Sequence, residues 1–124
     1  MKFYPKAILI GLAVDLGLSF TCGLVEIIFL AGPVAIHTHA TSVYVWAMVV
    51  GLMGCVIGGY ATSYFSPRSK IYNAFLFGLI EVFLGLISIL LMPQETTPLW
   101  FSISAFALTI PAGLLGSYVE QRLN

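Results

Sequence analysis

Gly23-Leu24-Val25-Glu26-Ile27-Ile28-Phe29 returns 55 residues later as Gly78-Leu79-Ile80-Glu81-Val82-Phe83-Leu84. Trp46, Gly59, Ser63, Tyr64 and Arg68 return 54 residues later as Trp100, Gly113, Ser117, Tyr118 and Arg122. The two offsets agree to within one residue, so each half of the chain reads as one helical hairpin, written twice. In each half the first helix carries a carboxylate inside an apolar run. A charge in hydrocarbon is costly, which makes such a residue a functional candidate by default.

Composition identifies the medium. The 124 residues are 60% hydrophobic and only 8% charged, whereas a soluble domain carries about 25% charged residues. Apolar runs cover 7–36, 43–65, 71–92 and 99–119, and a spanning helix needs ~20 residues. Barrel strands alternate in polarity and run only ~10 residues. The expected fold is therefore all-α: an integral membrane four-helix bundle built from two tandem parallel helical-hairpin repeats. The chain 1–124 reads as a single transmembrane domain, with one hairpin over about 7–66 and the other over about 70–120. A pseudo-two-fold axis along the membrane normal would relate them.

The first run is long, and two placements of Asp15 follow from it. An unbroken helix sets Asp15 deep in the membrane. The repeat register instead pairs it with Lys70, near the surface. Lys6 is a natural interfacial anchor and favours the deep placement. The length of the run, with Asp15 and Glu26 inside it, predicts a retained span rather than a cleaved signal peptide.

The net charge is zero, but its layout is asymmetric. Lys2, Lys6, Arg68, Lys70 and Arg122 fall at the N-terminus, the middle connection or the C-terminus, and none falls in 37–42 or 93–98. The positive-inside bias then places both termini in the cytoplasm. Tyr44, Trp46 and Trp100 would mark the outer interface, and Tyr64, Tyr72 and Tyr118 the inner one. No lysine or arginine lies inside an apolar run, so the sequence predicts no intramembrane ion pair. Ser66-Pro67-Arg68-Ser69-Lys70 reads as a tight turn whose two cations meet anionic lipid.

Helical spacing sorts the polar residues onto faces. Asp15, Ser19, Cys22 and Glu26 share one stripe of the first span, and Gly78, Glu81, Gly85 and Ser88 form its counterpart in the third. Glu26, Glu81, Asp15 and Ser19 are the candidate intramembrane polar site. An ionised glutamate at mid-membrane costs ~3 kcal/mol or more, so each is protonated, hydrogen-bonded or exposed to a water-filled cavity. Gly51, Gly54 and Gly58 in the second span, with Ala112 and Gly116 in the fourth, have the small-residue spacing of helix packing. Pro111 predicts a kink in the fourth span.

Other chemistry is sparse. His37 and His39 are too few to make a metal site. Cys22 and Cys55 lie within spans and predict no disulfide. Phosphate loops, nucleophile elbows, zinc signatures and nucleic-acid patches are absent. The expectation is a non-enzymatic protein with no cofactor, no metal and no nucleic-acid partner.

Gly58-Gly59-Tyr60-Ala61, followed across the basic turn by Asn73-Ala74-Phe75-Leu76-Phe77-Gly78-Leu79, resembles a pattern in small uncharacterised bacterial four-span proteins. In those a Gly-Gly-Tyr-x-Ala segment ends one helix and a glycine-rich helix follows a short basic loop. Here the alanine follows Tyr60 directly. The resemblance covers residues 54–80 and implies a bacterial inner-membrane location, with no assigned chemistry. The small multidrug resistance transporters are similar in length, span number and an acidic residue in the first helix. Their carboxylate environment is not matched around Asp15 or Glu26, and the charge bias opposes dual topology, so no residue role carries over.

The leading expectation is a multi-pass membrane protein acting through helix contacts, as a homo-oligomer or a small subunit of a larger membrane complex. The alternative is a small proton- or cation-coupled transporter or channel using Glu26 and Glu81. Available partners are the lipid bilayer, another copy or another membrane protein, and in the alternative a small solute or proton. The topology is directly testable in a cysteine-free background. Glu95→Cys is expected to react with an impermeant thiol reagent added outside, and Ser69→Cys is expected to stay unlabelled. The reverse pattern overturns the orientation.

Overall fold

The structure is a computed structural model that describes residues 1–25, 28, 41–91 and 97–124, with side chains for all of these but 41–43. The described residues form four α-helices: α1 (Pro5–Val25), α2 (Thr41–Tyr64), α3 (Lys70–Leu91) and α4 (Leu99–Leu123). All four are long and apolar enough to cross a membrane. The helix limits follow local chemistry. Pro5 opens α1 and Pro98 precedes α4, positions where the missing N–H costs nothing. Pro67 separates α2 from α3, and Ser69 takes a left-handed conformation (φ 54°) between them. α4 continues through Pro111.

Hydrogen bonds fix the helix directions. Tyr4 N–H donates to Asn73 Oδ1 (2.9 Å), which puts the start of α1 beside the start of α3. Ser117 Oγ donates to Ser63 Oγ (3.1 Å), which puts the ends of α2 and α4 at that same level. At the far end Tyr44 and Phe101 meet ring to ring, with centroids 5.4 Å apart. The helices therefore alternate up and down, and all five basic residues gather at one end. α2 and α4 run side by side and form the most extensive interface. α1 flanks α2, and α3 lies against α4, α2 and α1. α1 and α4 do not meet.

Lipid supplies no hydrophobic drive for helix association, so close packing and internal polar bonds must hold the bundle. Glycine supplies the close packing. A Cβ on Gly59 would overlap the backbone of Gly113, and one on Gly116 would overlap the backbone of Val56 and Tyr60. The space around these glycines is filled by a single large side chain. Phe77 is fully buried, and its ring lies against Gly58 and Gly113: Cβ atoms there would sit 2.6 Å from Cζ and 3.3 Å from Cδ1.

The bundle interior is thus layered. Toward the basic end lie Thr62, Ser63, Ser66, Asn73, Ser117 and Glu120, all buried and polar. Next comes the Phe77 layer with its glycines. One helical turn beyond Phe77 on α3 stands Glu81, level with Asp15 of α1. Asp15 is only 5% exposed, packed among its neighbouring helices.

Of the expected packing residues, Gly54 abuts Asp15, Gly58 abuts Phe77 and the Gly11 carbonyl, Gly116 abuts α2, and Ala112 is buried. Gly51 is different. A Cβ there would meet nothing within 4 Å, because the residue lines a cavity rather than a neighbouring helix. The packing generates a paired prediction. Gly116→Ala is expected to destabilise the protein by about 1–3 kcal/mol through backbone overlap. Gly17→Ala, with open space around it, is expected to leave stability unchanged or raise it by up to ~1 kcal/mol through helix propensity. Thermal unfolding in detergent reads both, and equal effects at the two sites would contradict the packing.

Candidate functional site

Asp15 and Glu81 come together in the middle of the bundle from helices that scarcely touch elsewhere. The two carboxyl groups lie side by side. A hydrogen bond between them needs a proton on one of the two, because an ionised carboxylate can only accept. Each group keeps one oxygen without a hydrogen-bond partner among the described residues: Asp15 Oδ1 and Glu81 Oε1. Both residues line a cavity of about 230 Å³. Its other walls include Ser19, Gly51, Cys55, Phe101 and Thr109. Gly51 and Phe101 come from the halves of α2 and α4 remote from the basic residues, so the cavity extends toward that end.

The cavity wall is mostly apolar. Thr109 Oγ1 already donates to the Ala105 carbonyl (2.7 Å), and Gly54 lets the α2 backbone approach Asp15 Oδ1 closely. Among the described residues no cation lies at this level. A negative charge on either carboxyl would be met by water or by a cation entering the cavity.

The other buried carboxylate has the opposite setting. Glu120 is 1% exposed and receives Lys70 Nζ at 2.8 and 2.9 Å, with Ser63 Oγ donating at 2.9 Å. Both partners lie just outside the apolar runs, Lys70 before 71–92 and Glu120 after 99–119. Lys70 is the first residue of α3, and its four-carbon stem carries the ammonium to Glu120, buried in the last turns of α4. Glu120 follows Gly116 by one helical turn on α4, but nothing in that spacing points to Lys70 as its partner. Sequence spacing gave no means of joining residues 50 positions apart.

Asn73 is a second residue the sequence did not single out. Its amide donates to the Lys2 and Ser69 carbonyls (3.0 and 2.9 Å) and accepts from Tyr4 N–H, tying α1 to the middle turn. Its position four residues before Phe77, on the face that carries Glu81, was the available signal.

Of the predicted site, then, Asp15 and Glu81 are brought into contact. Ser19 lines the same cavity while remaining exposed. Glu26, His37, His39 and Glu95 lie outside the described residues. Among the described residues no group of three or more His, Cys, Asp or Glu side chains is arranged to hold a metal ion. Comparison with known protein families, curated proteins and solved structures finds no match.

The ion pair makes a stability prediction. Lys70→Met leaves Glu120 buried with only neutral donors, and breaking a buried pair costs about 3–5 kcal/mol. Lys70 is one-third exposed, which lowers the expected loss to about 2 kcal/mol. Lys70→Met combined with Glu120→Gln is expected to recover part of that loss, because no uncompensated charge remains. A double variant no more stable than Lys70→Met alone would show that Glu120 does not depend on Lys70.

Proposed function

We propose that this chain is a small transport protein of the membrane in which Asp15 and Glu81 bind and release a coupling proton. The observation that carries the reading is the carboxyl pair itself: a buried Asp15 beside a half-buried Glu81 at mid-helix, both lining one cavity and each with a buried oxygen that has no partner among the described residues. An ionisable group is retained at that depth at considerable cost. A purely structural role would be served by neutral partners. The proton leaves toward the cavity and a cation or water takes its place, after which reprotonation resets the pair.

One-sided access supports the same reading. The cavity approaches the pair from the end opposite the basic residues. On the other side Phe77 and the Gly59–Gly113 contact fill the bundle, and the Lys70–Glu120–Ser63 cluster closes the terminus. Transporters expose a midplane site to one side at a time, and this geometry corresponds to one of those states.

The reading as a subunit acting through helix contacts rested on the small-residue faces. Gly54, Gly58, Gly59 and Gly116 spend those faces within the chain, which moves the balance toward transport. The duplicated hairpin belongs to the same proposal. Gly59 meets Gly113 and Ser63 bonds Ser117, contacts between counterparts at offset 54 that a two-fold axis between α2 and α4 would generate. The proposed setting is the bacterial inner membrane with the basic end cytoplasmic, as the positive-inside bias requires.

The test uses the purified protein in sealed vesicles with a trapped pH indicator and an imposed potassium diffusion potential. Proton flux in the wild type is expected to fall at least tenfold in Asp15→Asn and in Glu81→Gln. The double variant is expected to be no worse than either single one, since the pair acts as a unit. Phe77→Ala is expected to add a passive leak by opening the bundle toward the basic end. Equal flux in the wild type and the double variant, with both folded, overturns the proposal.

A further inference from the structure

A second concavity lies outside the bundle interior, beside the middle turn. It has a volume of about 820 Å³ and is bounded by Arg68, Lys70, Ile71, Phe75, Leu114 and Gln121, among others. Its two parts differ in character. Arg68 and Lys70 stand at its upper rim, at the basic end. Ile71, Phe75 and Leu114 form a wall that runs one to two helical turns down α3 and α4, and Ile71 and Phe75 are exposed on the bundle's flank. With the helices spanning a bilayer, the groove would face it laterally, cationic toward the headgroups and apolar toward the acyl chains.

The cations are not equivalent. Lys70 is already committed to Glu120. Arg68 is exposed and has no side-chain partner among the described residues. Its backbone is nevertheless held firmly. Asn73 N–H and Asn73 Nδ2 donate to the Ser69 carbonyl, Lys2 N–H donates to Ser69 Oγ (3.0 Å), and Ser69 itself sits at φ 54°. A left-handed non-glycine residue costs of order 1 kcal/mol and persists only where surroundings enforce it. The turn thus fixes the backbone from which a free, planar guanidinium extends beside an apolar groove.

We propose that this groove is a binding site for an anionic glycerophospholipid. The lipid phosphate pairs with the Arg68 guanidinium, and one acyl chain lies along Ile71, Phe75 and Leu114. Charge complementarity selects the occupant. The basic end carries five cations against the single carboxylate of Glu120, so a lipid of net negative charge is favoured over a zwitterionic one. The apolar wall distinguishes a lipid from free phosphate, which has nothing to place there.

Native mass spectrometry of the intact protein, released from nanodiscs of phosphatidylcholine containing a minority of phosphatidylglycerol, tests the site. One phosphatidylglycerol is expected to be retained in preference to phosphatidylcholine. Arg68→Gln is expected to reduce that retention about fivefold, the worth of one interfacial cation. Phe75→Ser is expected to reduce it as well, without any change of charge. Inorganic phosphate at millimolar concentration is expected to leave it unaffected. Both residues are exposed, and unchanged thermal stability confirms that the variants remain folded. Equal retention of the two lipids, no response to Arg68→Gln, or displacement by inorganic phosphate overturns the proposal. Proton flux is not involved in the readout, so the lipid site and the proton site stand or fall separately.

Discussion

The backbone contact between α2 and α4 is the constraint on which the other features depend. Two helices come this close only where side chains are missing at the crossing, and Gly59, Gly113 and Gly116 meet that condition. In a bilayer, where burial of apolar surface drives nothing, such contact is a main source of cohesion. It leaves α1 and α3 to lie in the grooves beside the central pair. It also brings Ser63 and Ser117 within hydrogen-bonding distance.

Polar residues then sort into two levels separated by one aromatic ring. At the basic end a cation, a carboxylate and several hydroxyls satisfy one another, so the charges cost little. At mid-span two carboxyls can satisfy each other only by sharing a proton, and each has an oxygen without a partner among the described residues. The same residue type therefore serves as an anchor in Glu120 and as a candidate working group in Glu81. The difference lies in whether a cation can reach it. Lys70 sits at a helix start and can bend to Glu120, whereas no lysine or arginine stem extends to the level of Glu81.

The bundle's outer surface is no less differentiated. Most of its exposed side chains are apolar and match the lipid tails around them. At the middle turn Arg68, without a side-chain partner among the described residues, borders an apolar groove, which breaks that uniformity. The turn is held by Asn73, which also fastens the start of α1, so the external groove and the internal layering share one structural residue. The external groove and the closed basic end are in this way mechanically adjacent.

The sequence by itself determined the medium, the number of helices and nearly all their limits, because hydrocarbon thickness and backbone hydrogen bonding leave a long apolar run few alternatives. It also identified Asp15 and Glu81 as residues that need an explanation, and Gly54, Gly58 and Gly116 as contact positions. It did not join Asp15 to Glu81 or Lys70 to Glu120. The stripes show which side of each helix a residue occupies, yet not how far the helices slide along one another. The repeat register even aligned Glu81 with Glu26 rather than with Asp15. Only the tertiary structure decided those pairings, since axial offset between helices is set by where glycines allow close approach and where one ring, Phe77, fills the space between them. Gly51 was misread for the same reason: a small residue looks alike in sequence whether it admits a neighbour or leaves a cavity.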